Sequence, residues 1–214
     1  MDSYVITLKP DEELSNQIIW IKENIYSDYG NQLYLRDEPH ITLYLGKFND
    51  ISSFEMELEQ FISEIDKNKF TIDITEWEIF GKDPVTKKDT LVCIIGKEAI
   101  PALKALQQWI ISAIMPYRKT ELIQRYKLRY GEIKGIQKEN LDRYGYPFVG
   151  DIWVPHIGIA SFDPDIFEKM WPAYRQKCPI GKYGVQSINI YKLDENTEKL
   201  ELIREFPLKN DAEP

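Results

Sequence analysis

The chain alternates between apolar runs with the two-residue period of strands and stretches with the spacing of amphipathic helices. A turn-rich segment joins the runs at 70–80 and 90–95, which predicts an antiparallel hairpin. A second such segment joins the runs at 185–193 and 199–206 and predicts another. A loop is expected over 27–38, with a short strand at 33–35. The strand-like runs are residues 4–8, 40–46, 70–80, 90–95, 156–160, 185–193 and 199–206.

Apolar residues recur every three or four positions in the remaining stretches and predict helices. The first begins at Pro10, has acidic residues in its first turn and carries the stripe Leu14, Ile18, Ile21 and Ile25. The second spans Phe54 to Ile65, and the third spans Ile100 to Ile114, ahead of Pro116. Asp163 is expected to cap a fourth, short helix that ends near Pro172.

The order of these elements repeats once along the chain. Each half has a strand that begins at a histidine, a following helix and a hairpin, which predicts two similar lobes across a cleft. We expect one domain over residues 1–208 and a disordered tail over 209–214. No short-period repeat is present.

The chain has two histidines, and both open an apolar strand directly after a proline. Residues two apart share a face of a strand, so His40, Thr42 and Tyr44 point one way and His156 and Gly158 share a face in the second strand. Imidazole titrates near neutrality, so a matched pair is suited to one base and one acid. The alternative is two unrelated histidines satisfied by hydrogen bonds, and the matching contexts favour the pair.

Composition narrows the class of protein. Of 214 residues, 43% are hydrophobic and 29% charged, which is ordinary for a globular protein. No apolar run reaches the roughly 18 residues that a membrane helix needs, and the start lacks the features of a signal peptide. Two cysteines make no disulfide framework, and the histidines and cysteines form no zinc-type cluster. We expect a cytoplasmic, monomeric protein without membrane contact.

The net charge of −8 opposes non-specific binding to long nucleic acid and favours a small or short substrate over a long duplex. Against this acidic background, residues 117–150 are basic and rich in tyrosine, which is typical of a solvated surface insertion or of a cap that draws phosphates and stacks bases. Its candidate binding residues are Arg129, Tyr144 and Tyr146. The basic residues are Arg118, Lys119, Arg125, Lys127, Arg129, Lys134, Lys138 and Arg143.

These motifs resemble the two-histidine (2H) phosphoesterase superfamily, and in particular its bacterial 2′,5′ RNA ligase and cyclic phosphodiesterase branch. His40-Ile41-Thr42-Leu43, followed by Leu45-Gly46, fits the first His-x-Thr motif of that family, and Pro155-His156-Ile157 fits the opening of the second. The resemblance covers most of the chain, with residues 117–150 as an insertion or cap. It implies an α+β, bilobal fold in which two mainly antiparallel sheets face each other across a central cleft, with helices packed outside.

The resemblance also implies metal-independent phosphodiester chemistry without a cofactor. One neutral histidine would accept a proton from water or a ribose hydroxyl, and the other, protonated, would donate one to the leaving oxygen. Thr42 would donate a hydrogen bond to a non-bridging phosphate oxygen. The implied catalytic residues are His40, Thr42 and His156. Tyr44 either lines the pocket for the base or is a core residue.

One position departs from the family pattern. Threonine is expected two residues after the second histidine, and the chain has Gly158 there. Ser161 lies at an odd offset from His156, so its side chain points to the other face unless a bulge intervenes. Either another residue supplies the missing donor, or glycine makes room for a base or for a side chain of the cap.

Three functions remain open from the sequence. The first is an enzyme acting on a 2′,3′-cyclic phosphate, a 2′,5′ linkage or a cyclic oligonucleotide, in the direction of hydrolysis or ligation. The second is a non-catalytic nucleotide- or RNA-binding protein that kept the cleft, which Gly158 favours. The third is an interaction protein, which only the acidic surface supports.

Overall fold

The fold is taken from a computed structural model that describes residues 2–48, 50–64, 70–81 and 87–208. Seven strands and six α-helices make up this part of the chain, in the order β1, α1, β2, α2, β3, β4, α3, α4, α5, β5, α6, β6, β7. The predicted tail at 209–214, the position of Ile65 and most of the first hairpin turn lie outside the described residues. The strands are Asp2–Pro10, Ile41–Phe48, Thr71–Phe80, Asp89–Ile95, His156–Phe162, Gly181–Leu193 and Leu200–Pro207.

The helices pack around these strands and bury most of the residues in the stripes that the sequence predicts. Helix α1 begins two residues later than expected, because Pro10 ends β1 and Asp11 is the N-cap. One carboxylate oxygen of Asp11 accepts from the backbone N–H of Leu14 at 3.0 Å, and the other accepts from Gly184 at 2.6 Å. The helices are Glu12–Tyr29, Ser52–Glu64, Ile100–Ile114, Gln124–Leu128, Ile136–Tyr144 and Pro164–Tyr174.

Three local predictions differ from the structure. Helix α1 continues to Tyr29, and the short strand expected at 33–35 is a single bridge between Leu33 and Ser161. Asp163 is the N-cap of α6 and Pro164 its first residue, as predicted, although the Asp163 carboxylate makes no capping hydrogen bond and pairs with Lys88 at 2.9 Å. Helix α6 also runs past Pro172, because a proline in the last turn removes only one N–H donor and the helix ends within two residues.

The strands form one antiparallel sheet in the order β1-β2-β5-β4-β3-β6-β7, with β6 also paired to β1. The α+β class and the antiparallel pairing are thus confirmed, and the two expected sheets are joined into one. Strand β6 makes the connection, because residues 181–184 pair with β3 while residues 185–193 pair with β1. The two halves are β2-β1-β6-β7 and β5-β4-β3.

The second connection between the halves is much smaller. Strands β2 and β5 pair through one residue pair, Ile41 with Ile157, both buried in the core. Beyond this pair the two strands separate. The histidines precede these two isoleucines by one residue, so both lie where the two halves of the sheet part.

Residues 117–150, expected to be an insertion or cap, form α4, α5 and connecting turns that pack into the same core. Tyr126, Leu141, Tyr146 and Val149 are buried in it. No helix in the described part of the chain is long and apolar enough to cross a membrane.

Candidate active site

A bulge in β2 sets which of its side chains face the cleft. Ile6 of β1 pairs with Tyr44, whereas Thr7 pairs with Thr42, so Leu43 is an extra residue in β2. The bulge changes the alternation: His40, Thr42 and Leu45 line one cavity, and Tyr44 does not. The face shared by His40 and Thr42 agrees with the two-residue period because both precede the bulge.

Strand β5 has its bulge at the equivalent position. Leu91 of β4 pairs with Ala160, whereas Val92 pairs with Gly158, so Ile159 is the extra residue. Each bulge therefore follows its histidine by three residues. His156 and Gly158 line the same cavity as His40 and Thr42. Ser161 lies past the bulge and returns to the face of His156, where its hydroxyl is hydrogen-bonded to that of Thr90.

The two histidines have the same hydrogen bond. Nδ1 of His40 lies 2.7 Å from the carbonyl oxygen of Glu38, and Nδ1 of His156 lies 2.8 Å from that of Val154, two residues earlier in each case. A carbonyl oxygen only accepts, so Nδ1 carries the proton in both rings. In the neutral ring Nε2 is then the basic nitrogen, and the shared hydrogen bond gives both imidazoles the same local orientation.

His40 is adapted to the neutral state. Its pKa is lowered to about 4, mainly by burial and in smaller part by the charge of the nearby Lys22, while the contact with the Glu38 carbonyl partly opposes the change. The ring is half-buried and partly open to the cavity, so it remains within reach of a ligand. A neutral imidazole at neutral pH accepts a proton, which is what a general base must do.

A buried lysine holds the loop before His40. The ammonium group of Lys22, on α1, donates to the carbonyl oxygens of Tyr34 at 2.9 Å and Asp37 at 2.7 Å. Burial lowers the pKa of Lys22 to about 8, and the Asp37 carboxylate opposes this change. Lys22 therefore fixes the segment from which His40 projects, although it does not line the cavity.

The cleft is a cavity of about 380 Å³ with mainly apolar and aromatic walls. The ring of Phe80 meets His156 edge to face, with centroids 4.8 Å apart. Apart from the histidines, the charged side chains among the described lining residues are Asp37, Arg125 and Glu198. The other lining residues used below are Tyr34, Thr42, Tyr126, Tyr146, Phe148, Trp153 and Gly158.

The segment at 147–153 supports the bulge of β2 from outside the sheet. The buried amide of Gln107, on α3, donates to the carbonyl oxygens of Leu43 and Phe148, each at 3.1 Å, and accepts from the N–H of Gly150 at 3.3 Å. The indole N–H of Trp153 donates to the carbonyl oxygen of Thr42 at 3.1 Å. These contacts position the backbone of Thr42 and of the bulge next to it.

Two residues predicted to contact substrate lie elsewhere. Tyr44 is fully buried, its hydroxyl donates to the carbonyl oxygen of Tyr144, and its ring packs against Tyr146 at 5.8 Å. The prediction that it lines the base pocket is wrong, because the Leu43 bulge turns it into the core. The side chain of Tyr144 does not line the cavity either, and its ring contacts Arg143 instead.

The basic segment contributes different residues from those predicted. Tyr146 lines the cavity as expected, whereas Arg129 does not. Arg125 takes that place, and Asp37 and Glu198 join it from two loops. Residues of the basic, tyrosine-rich segment thus line the cavity, but the choice between Arg125 and Arg129 depends on which face of the short helix α4 packs inward.

Gly158 leaves open space on the cavity wall. A Cβ atom added there would meet nothing within 4 Å, so no side chain of the cap occupies the position in the described structure. Among the described residues, no group of three or more histidine, cysteine, aspartate or glutamate side chains is arranged to hold a metal ion.

Comparison with known proteins gives matches to the fold and to one family. TT0787 of Thermus thermophilus superposes with a TM-score of 0.50 at 12% identity, covering 98% of this chain and 100% of that chain. Apo LigT of E. coli gives a TM-score of 0.49 at 12% identity, with 96% of each chain covered. Usb1 of Kluyveromyces marxianus gives 0.48 at 10% identity, covering 96% and 98%.

No curated protein sequence matches this chain significantly. The match to the Thermus protein, at its low identity, shows a shared fold. The family model of the 2′-5′ RNA ligase superfamily matches residues 10–197, which is most of the chain. The chain therefore belongs to the 2′-5′ RNA ligase superfamily of two-histidine phosphoesterases.

Proposed function

We propose that this protein is a metal-independent phosphodiesterase that opens a nucleotide or RNA phosphodiester by paired-histidine acid–base catalysis. The observation that carries the proposal is the equivalent placement of His40 and His156 on one cavity, each with Nδ1 bonded to the carbonyl two residues earlier. Membership of a superfamily named for joining RNA through a 2′-5′ linkage supports a nucleotide or RNA substrate.

The proposed hydrolysis of a 2′,3′-cyclic phosphate consumes one water molecule. Nε2 of His40 accepts a proton from the attacking water, whose oxygen forms a bond to phosphorus. His156 donates a proton to the ribose oxygen as its bond to phosphorus breaks, and the product is a phosphomonoester. We assign the base to His40 because its lowered pKa keeps it neutral. In ligation a ribose hydroxyl of a second strand replaces water and attacks the same cyclic phosphate, so His40 again accepts the proton of the nucleophile and His156 again protonates the leaving ribose oxygen.

Thr42 is the proposed donor to the charge that develops on phosphate. It lines the cavity beside His40, and its backbone is held by Trp153. Because the Thr42 hydroxyl is already held in place, it can stabilise the charge on the non-bridging oxygens in the transition state without first reorienting, and this preorganisation raises the rate. The aromatic walls supply apolar surface on which a base can stack.

The experiment that tests this function is incubation with a panel of substrates. The panel contains nucleoside 2′,3′-cyclic phosphates, 2′,5′-linked dinucleotides and cyclic oligonucleotides, each with and without a chelator. We expect at least one class to be cleaved at a rate that the chelator leaves unchanged and that His40→Ala abolishes. Cleavage that strictly requires a divalent metal ion would contradict the mechanism.

A second candidate is a nucleotide-binding protein that kept the cleft and lost turnover. Gly158 is the observation that favours it, because the expected second hydroxyl is missing and no Cβ fills the space. Binding of nucleoside 3′-monophosphates to the cavity, together with no turnover across the whole panel, would establish this candidate.

A further inference from the structure

One end of the cavity carries a cluster of charge that the proposed chemistry does not use. Nη2 of Arg125 lies 3.4 Å from Oε2 of Glu198 in an ion pair whose side chains are 20% and 33% exposed. Asp37 lines the same cavity, and the charge of Arg125 acts on its carboxylate. Among the described lining residues these are the charged groups other than the histidines.

The charge balance of this cluster indicates the kind of ligand. Arg125 is paired with Glu198 and the Asp37 carboxylate is balanced by the buried Lys22, so no excess positive charge is left to attract a second phosphate. A neutral group that offers both hydrogen-bond acceptors and donors is compatible with it. The acceptors face the guanidinium and the donors face a carboxylate.

The surrounding walls are suited to a flat aromatic ligand. Tyr34, Tyr126 and Tyr146 line this part of the cavity and are close enough to Arg125 to act on its charge. Nucleobases taken out of a helix stack on tyrosine rings and arginine planes. Tyr34 and Glu198 also have positive φ angles, of 70° and 56°, a conformation that such residues adopt rarely and that often occurs at ligand sites.

The cluster lies at a suitable distance from the reacting phosphate. Asp37 precedes His40 by three residues, so the two Cα atoms are at most about 11 Å apart. Arg125 and Glu198 line the same cavity as Asp37 and His40, so we place the base of a single nucleotide at this cluster with its 2′,3′-cyclic phosphate beside His40.

Resting on the proposed function, we propose that Arg125 and Glu198 form a nucleobase subsite with specificity for guanine. Guanine presents O6 and N7 as acceptors, the pattern that arginine reads in a bidentate contact. Its N1–H and N2 amino donors lie next to O6 on the same side of the ring. An arginine in contact with a carboxylate matches this sequence of acceptors and donors. Adenine lacks the paired donors, uracil lacks the amino group, and cytosine offers one amino group.

The experiment measures kcat/KM for the 2′,3′-cyclic phosphates of guanosine, inosine, adenosine, cytidine and uridine. We expect guanosine to exceed adenosine and uridine by about tenfold or more, the discrimination of one good bidentate contact. Inosine lacks the N2 amino group and should fall between them. Equal values for all five substrates would overturn the proposal.

Two variants assign the preference to the pair. Glu198→Gln keeps the shape of the side chain and should reduce the guanosine preference over adenosine to about threefold or less, as should Arg125→Ala, while uridine changes little. Lys127→Ala removes a positive charge from the same helix without touching this cavity and should leave the preference intact. An equal loss on every substrate would mean that the ion pair only anchors the cap. A loss confined to substrates with an added 5′-phosphate would mean a phosphate subsite.

Binding separates this proposal from the proposed activity. If no cyclic phosphate is cleaved, the activity fails, yet calorimetry with nucleoside 3′-monophosphates still reports the base preference. Tighter binding of 3′-GMP than of 3′-AMP, 3′-CMP and 3′-UMP, lost in Glu198→Gln, would support the subsite on its own. Equal binding of all four would overturn it.

Discussion

Thr42 and Gly158 hold equivalent positions in β2 and β5, two residues after their histidines, yet only Thr42 carries a hydroxyl. In a site with two hydroxyl donors, both would stabilise the negative charge that develops on the phosphate. Here Thr42 should carry a larger share. Thr90, on the neighbouring strand β4, also presents a hydroxyl to the cavity, although it is already bonded to Ser161.

Thr42→Ala should therefore lower kcat by about 10²–10³, the usual cost of losing one preorganised donor. Its KM and midpoint of urea unfolding should change little, because the backbone contact with Trp153 does not involve the lost hydroxyl. Thr42→Ser should recover most of the rate. A drop of less than tenfold in Thr42→Ala would show that another group stabilises the phosphate.

The pH dependence should reveal the lowered pKa of His40. A base must be neutral to act, so activity is lost as pH falls through its pKa. We expect the acid limb of kcat/KM, which reports the free enzyme, to lie below pH 6.5 and toward the value of about 4. The acid limb of kcat should lie at higher pH, because a bound phosphate anion favours the imidazolium form. An acid limb of kcat/KM at pH 6.5 or above would assign the base to His156.

The open space at position 158 leads to a prediction about substrate size. Gly158→Thr should fold with unchanged stability, because its Cβ meets nothing within 4 Å. The side chain projects into the cavity, so it should raise KM for dinucleotide substrates and spare small cyclic mononucleotides. Faster turnover on small and large substrates alike would show instead that the wild-type site lacks only a donor.

At the scale of elements, the bulges decide how the site is built. Leu43 and Ile159 are the extra residues of the two bulges, and each lies three residues after a histidine. A bulge bends and twists its strand. Each bulge lies two residues after its strand's member of the antiparallel pair Ile41–Ile157, so β2 and β5 are bent on either side of this pair and diverge around a cavity.

Gln107 stabilises the bulge of β2, and its loss should be costly. Gln107→Leu would leave the carbonyl groups of Leu43 and Phe148 and the N–H of Gly150 without this partner. Each buried unsatisfied group costs about 1–3 kcal/mol, so we expect a loss of about 2–4 kcal/mol in the free energy of unfolding. Gln108→Leu, on the exposed side of the same helix, is the control and should stay within about 0.5 kcal/mol of wild type. Similar urea midpoints for the two variants would contradict this role.

At the scale of the whole molecule, the candidate site exists only where the two halves of the sheet meet. Each half contributes one histidine, and the contacts that join the halves are the long strand β6 and one pair between β2 and β5. If the histidines act as one unit, their effects on rate should be strongly non-additive.

His40→Ala and His156→Ala should each nearly abolish turnover, and the double variant should be little slower than either single one. Single-turnover rates on one cyclic phosphate would measure this, with the unfolding midpoint of each variant as the control for folding. Rate losses that multiply in the double variant would mean that the histidines act independently.

The sequence by itself determined the strands, the helical stripes and the pairing of His40 with Thr42 on one face. These features follow from periods of two and 3.6 residues, which are properties of local backbone geometry. The similar order of elements in the two halves also predicted one cleft between two lobes.

The tertiary structure decided which side chains reach that cleft. A bulge is a mismatch in residue count between two paired strands, so the run from His40 to Gly46 cannot reveal that Leu43 turns Tyr44 into the core. Likewise, Arg125 reaches the cavity and Arg129 does not because of how a five-residue helix packs against the core. Both outcomes depend on neighbours that are distant in sequence, and no local pattern encodes them.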